Sequence, residues 1–224
     1  MTTTQPQPTI AEQSAAVSAG AATRLPPEVV AAFSAEQAGL DAAGLPAGVT
    51  APGAPMPDGA LLDVHGSPTT LTVARADRPA VVVFYRGAWC PYCNVTLRTY
   101  QQGLLPELER RGVGLIAVSP QKADGSLSTQ EANELTFTVL SDPGNSVAGQ
   151  LGILTAPTDG TREAQGALGL DLATVNADGT YGLPMPTVAV VDRRGTLRWI
   201  DVHPNYTTRS EVADILAAVA GLDD

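Results

Sequence analysis

Phe84-Tyr85-Arg86-Gly87-Ala88-Trp89-Cys90-Pro91-Tyr92-Cys93 (FYRGAWCPYC) holds both cysteines of this 224-residue chain. The run that leads into it, Pro79–Tyr85 (PAVVVFY), is an unbroken series of β-branched and aromatic residues. Such a run predicts a strand buried on both faces. Beyond it, Leu97, Tyr100, Leu104, Leu105 and Leu108 recur at helical spacing through Val95–Arg111, Pro106 predicts a kink, and Gly112 predicts the end. The cysteines therefore stand between a strand and the start of a helix. The first N–H groups of a helix lack intrahelical partners and carry partial positive charge, which stabilises a thiolate. Pro91 at an early helical position costs nothing, because its missing N–H would have had no partner. Spacing of three on one turn brings the sulfurs together and permits a disulfide.

Two plainer readings compete: an inert buried pair, and a zinc site. Zinc needs two more ligands, and His65 and His203 are the only histidines, neither with ligand-like spacing. A redox dithiol is the stronger reading, with Trp89 and Tyr92 shaping its surface. No cofactor or metal enters it.

The net charge of −10 argues against nucleic acid or an anionic membrane surface as partner. No window is apolar enough to span a bilayer, and MTTTQPQPTI lacks the basic and apolar regions of a secretory signal, so the expected compartment is the cytoplasm. There, two cysteines are reactive more often than structural.

Residues 1–8 are rich in Thr, Gln and Pro and read as a disordered tail. Residues 9–59 read as N-terminal helices and a linker. Residues 9–22 are alanine-rich, Pro26-Pro27 start a second helix toward Leu40, and Gly44–Gly59 carries four Pro and four Gly. Residues 60–224 form the main domain. Leu61–Val73 carries a hairpin signal at Gly66-Ser67-Pro68, and Val113–Val118 is a second buried strand. Ser128 and Glu131 match a capping box, which predicts a helix beginning there. Phe137–Leu140 is a short strand and Ser146–Leu151 a helix. Residues 155–183 read as a polar insertion. Thr187–Val191 and Thr196–Val202 form a hairpin, and Ser210–Leu222 is a terminal amphipathic helix. This order predicts an α/β fold, a mixed central sheet with helices on both faces, plus an N-terminal helical extension.

Trp89-Cys90-Pro91-Tyr92-Cys93 resembles the active-site motif of thioredoxin-fold proteins. The surrounding chain is similar to peroxiredoxins of the alkyl hydroperoxide reductase/thiol-specific antioxidant family. Leu62–Gly66, Phe84-Tyr85, Leu140–Ala148 and Val190–Arg198 carry that second resemblance, which covers residues 60–220. It implies a thioredoxin-like fold and a thiol-dependent peroxidase. Hydrogen peroxide or an organic hydroperoxide would be its substrate, and a thioredoxin-type protein its electron donor.

The two resemblances imply different nucleophiles. In a peroxiredoxin a Pro follows the strand-end Phe-Tyr, a Thr comes four later and the peroxidatic Cys three after that. Here those places hold Arg86, Cys90 and Cys93, which makes Cys93 the attacker and Cys90 the resolver. The thioredoxin motif gives attack to the first cysteine, Cys90, and a dithiol–disulfide exchange on proteins. Peroxiredoxins also place a peroxide-binding Arg before the strand that ends in Asp. Pro186 stands there, and Met185-Pro186-Thr187 resembles the cis-proline segment of thioredoxins. Arg86 is the candidate to replace the missing guanidinium. The N-terminal helices and the 155–183 segment are the candidates to cover the dithiol or to make a homodimer contact.

Overall fold

The computed structural model describes residues 8–222. Its centre is a seven-stranded mixed sheet, ordered β2-β1-β5-β4-β3-β8-β9. The innermost strands are β3 (Ala80–Phe84), β4 (Gly114–Ser119) and β5 (Thr138–Ser141), which run parallel. β8 (Thr187–Val191) joins β3 antiparallel, with Phe84 opposite Thr187, and β9 (Leu197–Val202) closes that edge. At the other edge β1 (Leu61–Leu62) pairs with β5 and with β2 (Pro68–Thr69).

The apolar run of β3 is explained by its two covered faces. Val81 and Val83 point into one core with Leu97, Leu108, Ile215 and Val219. Ala80, Val82 and Phe84 point into the other with Leu71, Val147 and Leu151. α4 (Pro91–Thr99), α5 (Leu105–Arg110) and α10 (Val212–Ala220) contribute to the first core. α3 (Leu71–Arg75) and α7 (Ser146–Gln150) contribute to the second. Leu97, Leu104 and Leu108 are fully buried, each worth about 1.5–3 kcal/mol of apolar burial.

Several boundaries differ from the sequence reading. The hairpin over 61–73 is confined to β1 and β2. Leu71–Arg75 is a short helix instead, because Thr70 caps it by accepting the Val73 N–H at 3.2 Å. The helix expected from Ser128 is α6, Ala123–Ala132, and Ser128 lies inside it. Packing sets its start: Ser126, fully buried in the first turns, is bonded to Ser141 on β5 at 2.8 Å. The kink expected at Pro106 appears one turn earlier, as a π-helical turn over Tyr100–Leu104. The 155–183 segment is structured. It contains α8 (Asp159–Ala167) and α9 (Leu172–Val175), and its ends pair as β6 (Leu154–Thr155) and β7 (Leu183–Pro184).

Two helices precede the sheet. α1 (Ile10–Arg24) opens with a complete capping box between Thr9 and Glu12. α2 (Pro27–Ala43) opens with Pro27 at its first position. α1 lies on α4 and α2 on α8. The expected disordered tail falls almost wholly on residues 1–7, which lie outside the described residues. No described helix is long and apolar enough to cross a membrane.

Candidate active site

The chain leaves β3 at Phe84 and reaches the helix through Tyr85–Ala88. Gly87 in that connection has φ +153°, and a Cβ on it would lie 2.4 Å from Trp89 Nε1. The next amide, Ala88 N–H, donates to Gln121 Oε1 at 2.8 Å. Asn94 reaches back from α4 and donates to the Ala88 carbonyl at 2.7 Å. These contacts fix Cys90 as the N-cap of α4, Pro91 as its first residue and Cys93 in its first turn.

Both cysteines are free and buried. Their electrostatic settings diverge. Burial alone would push the Cys93 thiol up. The hydrogen bond from Cys90, the guanidinium of Arg209, the Arg86 amide and the Arg86 charge outweigh it and hold Cys93 well below the ordinary thiol value. Arg209 Nη2 lies 3.3 Å from Cys93 Sγ. Cys90 goes the other way: burial, its hydrogen bond to Cys93 and the Cys93 charge push it well up. In the reduced pair Cys90 is the hydrogen-bond donor and Cys93 the acceptor, and Cys93 is the thiol more readily ionised.

Arg209 has no counterpart in the sequence reading. It stands in the loop between β9 and α10, which several bonds hold in place. Tyr100 Oη donates to the Ser210 carbonyl at 2.7 Å, and Ser210 Oγ donates to Asp201 at 2.7 Å. Arg209 itself donates to the Tyr206 and Thr208 carbonyls, both at 2.5 Å. Tyr100 is one of the helical-spacing residues noted in the sequence, but nothing there linked it to residue 210. His203, which the sequence showed only as lacking ligand-like spacing, is bonded to Asp201 at 3.0 Å and Thr208 at 2.8 Å, and lines a small void beside Cys93.

Pro186 lines the same void, which has a volume of about 10 Å³, as does Arg209. The expected cis-proline is not found: every described peptide bond is trans. The segment is pinned in extended form on both sides. Met185 N–H donates to Ile153 O at 2.7 Å, and Pro186 O accepts from His203 N–H at 2.8 Å. Pro186 thus stands immediately before β8, against the void beside Cys93.

Arg86 is 5% exposed and lies over two aromatic rings. Its Cζ lies 5.0 Å from the Trp89 centroid and 3.9 Å from that of Tyr206. Trp89, Tyr92 and Cys90 face a second, larger cavity of about 740 Å³. Cys93 does not line it. The site residues read from the sequence are therefore all brought together, but divided: Cys93 and Pro186 face the small void, and Cys90, Arg86, Trp89 and Pro91 face the large cavity.

Residues 52–200 match the family model described as the AhpC/TSA family. No curated protein sequence matches the chain. Among solved structures, the peroxidoxin BcpB of Mycobacterium tuberculosis superposes with a TM-score of 0.58 at 21% identity, covering 77% of this chain and 96% of that one. Reduced Prx3 of Vibrio vulnificus in complex with H2O2 gives 0.62 at 19%, covering 76% and 99%. A putative protein disulfide isomerase of Bacteroides thetaiotaomicron gives 0.51 at 15%, covering 78% and 91%. At these identities the superpositions speak for the thioredoxin-like fold. The family match extends over more than half of the chain and takes in the strand, the dithiol and the Asp192 hairpin: this chain belongs to the AhpC/TSA family, the thioredoxin-fold oxidoreductases of the peroxiredoxin type.

Proposed function

We propose that the protein is a thiol peroxidase in which Cys93 attacks and Cys90 resolves. The observation that carries this is the Arg209 guanidinium 3.3 Å from Cys93 Sγ. It sets a fixed cation on the cysteine that occupies the peroxidatic place in the family register. The thiolate attacks one oxygen of the hydroperoxide and the O–O bond breaks. The other oxygen leaves with a proton as water or alcohol, and Cys93 becomes a sulfenic acid. Cys90 sulfur then attacks the Cys93 sulfur. Water departs with the Cys90 proton, and a disulfide closes across one helical turn. A thioredoxin-type dithiol returns two electrons and two protons. The charges of Arg209 and Arg86 stabilise the attacking thiolate, and the Arg209 donors, which line the same void as Cys93, are suited to the departing oxygen.

Rapid mixing of the reduced protein with hydrogen peroxide tests the assignment, with Cys90→Ser and Cys93→Ser in parallel and mass spectrometry for trapped sulfenic acid. Oxidation that persists in Cys90→Ser and is lost in Cys93→Ser is expected. Oxidation that persists only in Cys93→Ser would overturn it.

One observation favours a second reading. The large cavity opens onto Cys90 and not onto Cys93. Access of a bulky disulfide would then be to Cys90, with proton transfer to Cys93, as in a dithiol–disulfide oxidoreductase. Fast, Cys90-dependent reduction of a protein disulfide beside slow peroxide chemistry is the result that selects it. Assembly as a homodimer and residence in the cytoplasm belong to the same proposal; sedimentation and cell fractionation test them.

A further inference from the structure

The large cavity is built over the dithiol by the N-terminal helices and the 155–183 segment, for which the sequence left open a cover or a dimer contact. α1 and α2 precede the family match at residue 52. They supply one wall, with Val17, Ala21, Val30 and Phe33, and the segment after α8 supplies Leu168 and Leu170. The volume of about 740 Å³ falls in the range of roughly 300–1,000 Å³ that suits small-molecule sites. Among the described residues two charged side chains line it, Arg24 and Arg86, and no carboxylate does.

Arg86 is the unusual member. Its guanidinium carbon lies over the rings of Trp89 and Tyr206, and the N–H donors of a guanidinium point outward in its own plane. Its Nε has no hydrogen-bond partner among the described residues. It takes part in none of the ion pairs found there. The Cys93 thiolate has Cys90 and Arg209 as its nearer compensations. A guanidinium left buried with an unmade hydrogen bond is costly. Its planar fork matches a carboxylate. The apolar volume beside it matches an aliphatic chain.

We propose that this cavity binds an aliphatic carboxylate of medium to long chain, with the carboxylate on Arg86 and the chain among α1, α2 and the segment after α8. The head of the ligand then lies against Cys90, so ligand and dithiol share a wall. Occupancy does not depend on which cysteine attacks.

Decanoate titrated below its micelle concentration into the full-length reduced protein tests this, read by tryptophan fluorescence and calorimetry. 1-Decanol is the uncharged control. One decanoate per chain is expected, bound at least tenfold more tightly than decanol. Arg86→Met is expected to reduce decanoate to the level of decanol, Arg86→Lys to retain part of the difference, and Ala21→Trp to weaken both ligands. The double variant Cys90→Ser/Cys93→Ser, which has no peroxidase chemistry, is expected to bind decanoate still, so failure of the site and failure of the peroxidase reading are told apart. No saturable binding of decanoate to the wild type, or equal binding of acid and alcohol, would overturn the proposal without recourse to any variant.

Discussion

Arg209 donates to the sulfur of Cys93 at 3.3 Å across 116 positions of sequence. Pro186 stands at the register place where a peroxiredoxin carries its arginine, and Arg209 lines the same void as Pro186. The guanidinium reaches the thiolate from the β9–α10 loop instead of from the start of β8. Its partner is charged and buried, so the bond belongs to the stronger class, about 1.5–3 kcal/mol. Arg209→Met is therefore expected to slow peroxide oxidation of Cys93 at neutral pH by about 10–100-fold. It should also move the ultraviolet thiolate titration to higher pH. Tyr100→Phe, which frees the Ser210 carbonyl, should move both in the same direction by less.

The divergence of the two thiols fixes how stability depends on pH. The ordinary thiol value is 9.0, and folding lowers Cys93 below it and raises Cys90 above it. The Cys93 contribution is present above the unfolded value and is lost as pH falls through the folded one, because there the unfolded chain binds the extra proton. The Cys90 contribution has the opposite sign: above 9.0 the unfolded chain sheds a proton that the folded chain keeps. The reduced protein should gain stability as pH rises toward 9 and lose it beyond. Denaturant unfolding of the wild type and Cys93→Ser across pH measures this. The rising limb should vanish in the variant, and a limb that persisted would place the thiolate elsewhere.

Gly87 is required by a close approach. A Cβ there meets Trp89 Nε1 at 2.4 Å, Trp89 Cδ1 at 2.8 Å and Gln121 Oε1 at 3.0 Å. Gly87→Ala must displace the indole or Gln121, whose oxygen also accepts the Ala88 N–H. A loss of about 1–3 kcal/mol in unfolding free energy is expected, the range of overpacking. A change in Trp89 fluorescence should accompany it. An unchanged spectrum with full stability would contradict the contact.

Much of this site is legible in sequence, for local reasons. A strand covered on both faces must be apolar throughout, so PAVVVFY announces β3, and Pro91 marks the first residue of α4. The capping box at Ser128 misleads because the buried bond between Ser126 and Ser141 governs α6. Arg209 stays hidden because its position depends on the β8–β9 hairpin and on Tyr100 far upstream. The sequence offers the N-terminal helices as a cover for the dithiol or as a dimer contact, and the contacts that set α1 on the dithiol helix are hidden for a similar reason. They run from Gln13 to Thr99 at 3.1 Å and from Ser18 to Tyr92 at 3.0 Å, and an alanine-rich helix does not advertise such partners.

The attachment of α1 gives a last test. The amides of Ile10 and Ala11 donate to the Glu211 carboxylate at 3.1 and 2.8 Å. A carboxylate at a helix N-terminus satisfies unpartnered N–H groups and faces the positive end of the helix dipole, worth about 0.3–1 kcal/mol when exposed. Glu211 lies one position before α10, outside the sheet and the dithiol. Glu211→Ala should therefore loosen α1 while leaving the sheet intact. Proteolysis between α1 and α2 should accelerate, and iodoacetamide should alkylate Cys90 several-fold faster, with the circular-dichroism melt of the main domain nearly unchanged. Because α1 walls the cavity onto which Cys90 opens, unaltered alkylation beside faster proteolysis would mean that the helix does not shield the thiol.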